Sequence, residues 1–339
     1  EPGGTARLVV DPAHVHVFKH FRSEMIERGH DVLVTSREKD VTTELLESYR
    51  IPHHLLSAQR RGLRLATELA VRTARLTRLA RNWKPDVMTG IMGPSITLAG
   101  QLLRIPSVVL YDTEIATATN AWVYPLASAV ITPSSYKGPV RGRHFVYEGS
   151  HELAYLHPAR FKPSVDVVTQ FGLKHSEPFS IVRFVSWTAS HDRKLRGLEP
   201  DHQRQLVERL SAFGRVLISS EEPLPKDLED LRLRGPIHLV HDLMAYATVF
   251  LGESATMASE AATLGRPTFY IAEKSRGYID ELHDAGLLRR YTLDQFEQLL
   301  ADLAIPPEPN SELHKRWLQG KVDVTAWLVR WFEDRYGAP

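Results

Sequence analysis

The chain has 339 residues, of which 43% are hydrophobic and 24% are charged, and its formal net charge is +1. This length exceeds one ordinary core, so we expect two domains of roughly 150 to 170 residues. The near-zero charge argues against a nucleic-acid binder. The absence of cysteine excludes disulfides, thiolate metal sites and cysteine nucleophiles.

No apolar run approaches the ~18 residues of a membrane span, and no signal peptide is visible. We therefore expect a cytoplasmic protein, although a chain that starts at Glu1 leaves a removed leader open.

Short apolar runs alternate with helical patterns through the first half of the chain. The predicted strands are 7–11, 31–35, a short piece after Pro52, 87–90, 107–111 and 130–132. Four helices are predicted between these strands. The first ends at Arg28, and the others span 42–49, 61–83 and 95–103. This alternation indicates a parallel, doubly wound α/β sheet.

A stretch with proline near both ends, 157–178, predicts the connection between the domains. We expect an N-terminal domain over 1–160, a linker over 161–178, a second domain over 179–311, and a C-terminal helix over 312–339. Strands are predicted at 180–186, 215–219, 237–240 and 249–251, and helices at 200–213, 277–285, 293–303 and 312–336. The tryptophans of the last helix, Trp317, Trp327 and Trp331, predict that it packs back on the body of the protein.

Two such Rossmann-like domains would face each other across a cleft. Ligands of open α/β sheets bind at the carboxyl ends of the strands. Residues that directly follow strands are therefore the candidate site residues.

The strongest candidate is the stretch 249–271, which reads as strand, tight turn, helix, glycine stop and strand. Its turn carries Glu253, Ser254, Ala255 and Thr256 at the start of a helix, where free N–H groups and the helix dipole favour a phosphate or diphosphate. Glu260 lies one turn further on the same side and is placed to accept hydrogen bonds from ribose hydroxyls.

A plain structural interpretation of this stretch stays open. Ser254 is also a good N-cap for a core helix. The carboxylate of Glu253 would repel a phosphate placed at the same spot.

His14 and His16 follow the first strand, and they suit three interpretations. Both imidazoles could begin a metal site, but a metal-dependent hydrolase needs more ligands than the chain offers after later strands. One histidine could be a general base. The third possibility is that a histidine caps the following helix.

Asp112 and Glu114 follow the strand that ends at Tyr111. Two carboxylates at this position could hold a divalent cation, or one could deprotonate an acceptor hydroxyl. Alternatively, Asp112 is the N-cap of the next helix.

In the second half, Ser190 and His191 lie in a polar loop after a strand that contains Arg183. Burying an arginine in a strand without an anionic partner costs free energy, so this region is a candidate site for binding a diphosphate. His241 follows another predicted strand, where it could face a nucleobase.

The predicted helix Arg61–Trp83 is rich in arginine. It could lie on an anionic membrane and bring an enzyme to a lipid-linked acceptor. The alternative is a solvated arginine-rich face.

Several blocks together carry a resemblance to one family: DPAHVHVFKHF, ERGHDVLVTSREKD, YDTE, YEGSHELAYLHP, VSWTASHD and GESATMASEAATLGRPT. The chain resembles the prokaryotic family known as domain of unknown function 354, whose members are similar to MurG-type transferases and non-hydrolysing UDP-N-acetylglucosamine 2-epimerases. The resemblance implies a GT-B fold and a role in polysaccharide biosynthesis.

By this resemblance, the second domain binds the nucleotide-sugar and the first meets the acceptor. Ser254, Ala255 and Thr256 would hold the donor diphosphate and Glu260 the ribose. Ser190 and His191 would lie over the phosphates. His14, His16 and Glu114 would face the acceptor.

From the residues and the resemblance together we expect a metal-independent glycosyltransferase without a cofactor. Its donor would be a nucleotide-diphosphate sugar, UDP-type by preference, and its acceptor a glycan or lipid-linked hydroxyl. Two alternatives remain: a nucleotide-sugar 2-epimerase and a non-catalytic nucleotide- or sugar-binding protein.

Overall fold

The computed structural model describes residues 5–11, 14–38, 40–58, 64–185, 197–220 and 222–337. The chain divides into two compact units. The first comprises Glu1–Arg160 and Lys321–Pro339, and the second comprises Phe161–Gly320.

The first unit is a parallel sheet with helices between its strands. Its strands are β1 (Arg7–Asp11), β2 (Asp31–Glu38), β3 (His53–Ala58), β4 (Val87–Ile91), β5 (Ser107–Leu110), β6 (Ala129–Pro133) and β7 (His144–Tyr147). Its helices include α1 (Val15–Glu27), α2 (Asp40–Ser48), α3 (Arg64–Trp83), α4 (Pro94–Leu103) and α5 (Thr117–Leu126).

The strand order of this sheet is β3-β2-β1-β4-β5-β6-β7. The central strands are apolar without alternation, and Val9, Met88 and Val109 are fully buried. Such runs are expected where helices cover both faces of a parallel sheet. The order reverses between β1 and β4, and this switch point is where ligands bind in open α/β sheets.

The second unit is also a parallel sheet with helices between its strands, and its described part has five strands instead of seven. Its strands are β8 (Phe179–Phe184), β9 (Arg215–Ser220), β10 (Val249–Gly252), β11 (Thr268–Ile271) and β12 (Arg289–Tyr291), in the order β12-β11-β10-β8-β9. Its helices are α6 (Pro200–Ser211), α7 (Val240–Met244), α8 (Ala255–Thr263), α9 (Gly277–Asp284), α10 (Phe296–Asp302) and α11 (Ser311–Gln319). The switch point lies between β8 and β10, which pair in parallel. The predicted α/β class with parallel, doubly wound sheets is confirmed.

The strand predicted over 237–240 is wrong. The structure has a 3-10 helix, Ile237–Leu239, that runs directly into α7. A short apolar run does not by itself distinguish a strand from a buried helical turn. Here Pro236 precedes the turn, and its carbonyl accepts a hydrogen bond from Leu239 N at 3.0 Å.

The single terminal helix predicted over 312–336 is two helices in the structure. The first, α11, ends at Gly320, and α12 (Val324–Tyr336) begins after Asp323. The Asp323 side chain caps the new helix by accepting from Ala326 N at 3.1 Å. The helix α12 lies in the first unit, where Trp331 contacts Phe145 and Phe332 contacts Phe21 at ring-centroid distances of 5.1 Å each.

We expect Phe332→Ala to destabilise the first unit by about 3–5 kcal/mol, because removing a buried aromatic ring loses transfer energy and leaves a cavity. Phe332 is 1% exposed. Denaturant unfolding checks this, with Arg330→Ala, at an exposed position of the same helix, as the control. If both variants unfold like the wild type, α12 contributes nothing to the core.

Candidate functional site

Three polar residues from separate parts of the chain lie at the carboxyl edge of the first sheet. Asp112 follows β5, His14 precedes α1 next to β1, and His151 begins a 3-10 helix, His151–Ala154, after β7. In a parallel sheet, residues that follow strands share one edge. Asp112 and His14 were predicted site residues, whereas His151 was not singled out from the sequence.

Asp112 and His151 form an ion pair, with 3.0 Å between Oδ2 of the acid and Nδ1 of the imidazole. The side chain of His151 is 4% exposed and that of Asp112 is 24% exposed. Burial alone would raise the pKa of Asp112, but the charge of His151, the hydrogen bond to it and the charge of His14 together hold that pKa well below its usual range. Burial would likewise lower the pKa of His151, but the charge of Asp112, the hydrogen bond to it and the charge of Glu152 together raise that pKa.

The remaining polar atoms at this position are also buried. Nε2 of His151 and Oγ of Ser150 have no hydrogen-bond partner among the described residues. Buried polar groups of this kind are ordinarily hydrogen-bonded, so these two atoms are candidate partners for a polar group of a ligand.

His14 is exposed and contributes to the low pKa of Asp112, so its imidazole lies within electrostatic reach of that carboxylate. It occupies the N-cap position of α1, but its side chain does not cap the helix. The capping interpretation of His14 is therefore wrong.

His16 has a different environment. Its ring centroid lies 5.8 Å from that of Tyr49 and 5.3 Å from that of Tyr155, and Nδ1 is 3.3 Å from the Tyr49 hydroxyl. This aromatic setting positions the ring within the first unit.

The two carboxylates predicted after β5 have separate partners. Glu114 accepts a hydrogen bond from Lys137 N at 3.1 Å, whereas Asp112 pairs with His151. The N-cap of α5 is Ala116, so the interpretation of Asp112 as a helix cap is wrong.

The turn after β4 belongs to the same edge and was not singled out from the sequence. Met92 and Gly93 both adopt left-handed backbone conformations, with φ of 58° and 50°. Such a conformation is uncommon for a residue with a side chain. The Tyr111 hydroxyl stabilises it by donating to the Met92 carbonyl at 2.8 Å.

In the second unit, the turn after β10 lies directly beside β8. A Cβ atom on Gly252 would come within 2.5 Å of the Arg183 carbonyl oxygen, so only glycine fits. Ser254 caps α8 by accepting from Met257 N at 3.4 Å. Ala255 and Thr256 form the first turn of this helix, as predicted.

Glu253 binds two backbone N–H groups, those of Val185 and Leu198. Its carboxylate accepts hydrogen bonds from Val185 N at 3.1 Å and from Leu198 N at 2.9 Å. An acid is tolerated here because its charge is met by two backbone donors. The predicted site residues Ser190 and His191 lie outside the described residues.

Glu260 and His241 form a second buried pair, with 2.9 Å between Oε1 and Nε2. The structure thus joins two residues that the sequence assigned separately, to ribose and to nucleobase. Arg183 donates from Nη1 to Oγ of Ser219 at 2.8 Å, which holds the guanidinium at the end of β8.

The arginine-rich helix α3 makes several contacts within the first unit. Arg72 binds both carboxylate oxygens of Asp11, at 2.6 and 2.5 Å, and Arg75 donates to the Leu56 carbonyl at 2.8 Å. Glu68 accepts two hydrogen bonds from Arg37. The contact of this helix with an anionic membrane stays a prediction.

Within the described ranges, no three histidine or acidic side chains are grouped so that they could hold a metal ion. In the same ranges, no helix is both long enough and apolar enough to cross a bilayer.

Asp112→Asn should lower the free energy of unfolding most between about pH 4 and pH 6.5. There both partners are charged, and loss of a buried pair costs about 3 kcal/mol. The low pKa of Asp112 means that its contribution fades as pH falls below this window, and the raised pKa of His151 means that its contribution fades as pH rises above it.

The check is denaturant unfolding from pH 3 to pH 9. Asp166→Asn serves as the control, because Asp166 forms an exposed pair with His175. A loss for Asp112→Asn that does not vary with pH would contradict the ion pair.

Solved structures with the same fold span nearly the whole chain. The S. aureus protein MnaA, solved with UDP, has a TM-score of 0.67 at 14% identity and covers 98% of this chain and 96% of its own. A UDP-GlcNAc 2-epimerase of Neisseria meningitidis bound to UDP-GlcNAc has a TM-score of 0.65 at 12% identity, with 97% and 100% coverage. MurG of Acinetobacter baumannii has a TM-score of 0.54 at 17% identity, with 97% and 99% coverage. The fold is therefore GT-B, as the resemblance implied.

Two relatives are similar in sequence. An uncharacterised protein of Methanocaldococcus jannaschii is 25% identical over 269 residues, which are 75% of this chain and 77% of the relative. A UDP-N-acetylglucosamine–N-acetylmuramyl-(pentapeptide) pyrophosphoryl-undecaprenol N-acetylglucosamine transferase of Anaeromyxobacter is 25% identical over 261 residues, which are 72% of this chain and 66% of the transferase.

The family described as "Protein of unknown function (DUF354)" matches residues 8–283. This match covers most of the chain and includes most of β1, the Asp112 turn, the Asp112–His151 pair and the α8 turn. The protein therefore belongs to the DUF354 family.

Proposed function

We propose that this protein is a glycosyltransferase that moves a sugar from a nucleotide-diphosphate donor to a hydroxyl acceptor. The observation that carries the proposal is the buried Asp112–His151 ion pair with His14 within electrostatic reach. A nearby carboxylate stabilises the imidazolium that forms when a histidine acts as a general base.

In this mechanism His14 removes the proton from the acceptor hydroxyl. Asp112 stabilises the imidazolium that forms, and His151 keeps Asp112 ionised and fixed in position. His151 thus acts as a positioning residue. The exposed side chain of His14 suits a group that must meet an incoming acceptor.

The donor side of the proposal rests on the turn between β10 and α8. The first backbone N–H groups of α8 lack partners within the helix, and its dipole favours negative charge. Arg183 is the penultimate residue of the neighbouring strand β8, and its positive charge complements a diphosphate. Glu260, held by His241, lies one turn into α8 and would accept hydrogen bonds from ribose hydroxyls.

The bond changes balance without a further reagent. The acceptor oxygen forms a bond to C1 of the sugar, and the bond between C1 and the phosphate oxygen breaks with its electron pair. The nucleoside diphosphate leaves with that charge, which the α8 N-terminus and Arg183 would stabilise. The acceptor proton passes to His14 and then to water. Because protein groups supply both roles, the proposed mechanism needs no metal.

Uracil is the proposed base of the donor. Two proteins of the same fold were solved with UDP or UDP-GlcNAc, and the Anaeromyxobacter relative is an N-acetylglucosamine transferase. That transferase acts on a lipid-linked acceptor, which supports a glycan or lipid-linked hydroxyl as the acceptor here.

A nucleotide-sugar 2-epimerase is the second candidate. The epimerase of Neisseria meningitidis superposes with a higher TM-score than MurG of Acinetobacter baumannii does, 0.65 against 0.54. An epimerase would convert the donor at C2 with no acceptor present. Incubation with the nucleotide-sugar alone, followed by NMR of the products, therefore separates the two activities.

UDP at a hundred times its dissociation constant should stabilise the wild type by about 2.7 kcal/mol. Thermal unfolding with UDP, UDP-GlcNAc, GDP, dTDP, CMP and ADP measures this. Thr256→Ala and Glu260→Gln should lose most of the shift, whereas Glu297→Gln, on the exposed side of α10, should keep it. If no nucleotide stabilises the wild type, the donor site is not at α8.

His14→Ala should lower kcat by about 10²–10⁴ and leave the donor KM nearly unchanged, because a general base acts on the chemical step. The assay follows UDP release and product mass with a panel of glycan and polyprenyl-phosphate-linked acceptors. His54→Ala, at an exposed position of β3, is the control. Nucleotide binding without turnover by the wild type would favour a non-catalytic binding protein.

A further inference from the structure

A cavity of about 200 Å³ lies in the second unit at the amino ends of β11 and β12. The candidate donor turn lies at the carboxyl edge of the same sheet, so the cavity is a separate place. Its wall is made by the two turns that lead into these strands, Gly265–Pro267 and Gly286–Leu288, and by the segment before α11. Two arginines, Arg266 and Arg289, line it.

Arg266 is the unusual group in this cavity. Its Nε atom is buried, and its side chain has no hydrogen-bond or ion-pair partner among the described residues. By contrast, the partly buried Arg72 of the first unit has an acidic partner, because its guanidinium binds the carboxylate of Asp11. An arginine does not relieve burial by losing its proton. Arg266 as a whole is half-buried, and a partly buried guanidinium without a partner is stabilised when an anion meets it.

The neighbours of Arg266 do not supply that anion. His314 lies beside it and is engaged with the Thr263 carbonyl at 2.7 Å, and burial together with the charge of Arg266 lowers the pKa of this histidine. Glu308 lines the cavity but is exposed and forms no ion pair with Arg266. The turn N–H groups of Gly265 and Gly286 are used within the ends of α8 and α9.

Arg289 adds a second positive charge at the mouth. Its side chain is 63% exposed, and Nη1 is 3.5 Å from a carboxylate oxygen of Asp302. Its guanidinium also lies over the Phe269 ring, 5.7 Å from the centroid. A side chain with such long contacts can turn toward a bound anion at little cost.

We propose that this cavity binds a small oxyanion, a phosphate or carboxylate group, with Arg266 as its main ligand and Arg289 at the mouth. Guanidinium groups bind both kinds of oxyanion through paired N–H donors. The volume is below the 300–1,000 Å³ that is typical of sites for drug-sized ligands. The ligand is therefore a small anion and not a second nucleotide-sugar.

The test compares the full-length wild type with Arg266→Gln, and with Arg234→Gln as a control. Arg234 is exposed and lies in the same unit, so the control has the same change in charge. Thermal unfolding is measured in chloride, inorganic phosphate and acetate at one ionic strength. In parallel, crystals are soaked in tungstate, a heavy oxyanion whose anomalous signal locates it.

The expected result is that phosphate or acetate raises the Tm of the wild type and of Arg234→Gln more than that of Arg266→Gln. In chloride, Arg266→Gln should be at least as stable as the wild type, because it lacks the uncompensated charge. Tungstate should bind next to Arg266. The stronger of the two probes, phosphate or acetate, names the class of anion.

Two results would overturn the proposal. One is equal anion shifts in all three proteins, with no tungstate at Arg266. The other is an Arg266→Gln variant that is less stable than the wild type by the same margin in every salt, which would make Arg266 a structural residue. Neither the anion-dependent Tm nor the tungstate position depends on nucleotide binding or turnover. The outcome therefore tests this proposal independently of the proposed glycosyl transfer.

Discussion

All described strand pairs of both sheets are parallel, and this constraint decides where the polar residues of the protein meet. Parallel strands need crossover helices, so every strand in a sheet ends at the same edge. The turns that follow β1, β5 and β7 are far apart in sequence, yet they bring His14, Asp112 and His151 together. The same constraint places Gly252 beside Arg183 in the second unit.

Polar groups at these edges are partly buried, and the structure satisfies them by pairing acids with bases. Asp112 is held by His151, Glu260 by His241, and Asp11 by Arg72. Each pair costs desolvation and gains attraction in a region of low dielectric. Each pair fixes its carboxylate in position. This is the property that a catalytic or ribose-binding acid needs.

The two edges of the second sheet differ in this respect. At the carboxyl edge, Glu253 is surrounded by backbone donors and Arg183 has Ser219 as a partner. At the amino edge, Arg266 has a buried Nε and no such partner among the described residues. The proposed anion would supply that missing partner. The helix α8 runs from the first of these places to the second.

The sequence by itself determined the alternation of strands and helices, the parallel sheets, and the turn at the start of α8. These features depend on local patterns: apolar runs buried on both faces, a Ser254 cap and a glycine that stops the helix. The strand expected at 237–240 failed because three apolar residues in a run of four fit a half-buried helical turn equally well. The terminal helix was predicted as one because Gly320 alone is a weak break, whereas the Asp323 cap makes the second start clear.

Only the tertiary structure decided which side chains meet. The sequence pattern around His151 does not indicate that its partner is Asp112. Glu260 of α8 pairs with His241, which lies before β10 in the chain. Arg266 follows a helix, and nothing in its neighbourhood in the sequence shows that it lacks an acid. Such pairings depend on crossover geometry and on burial, which arise only when distant segments pack together.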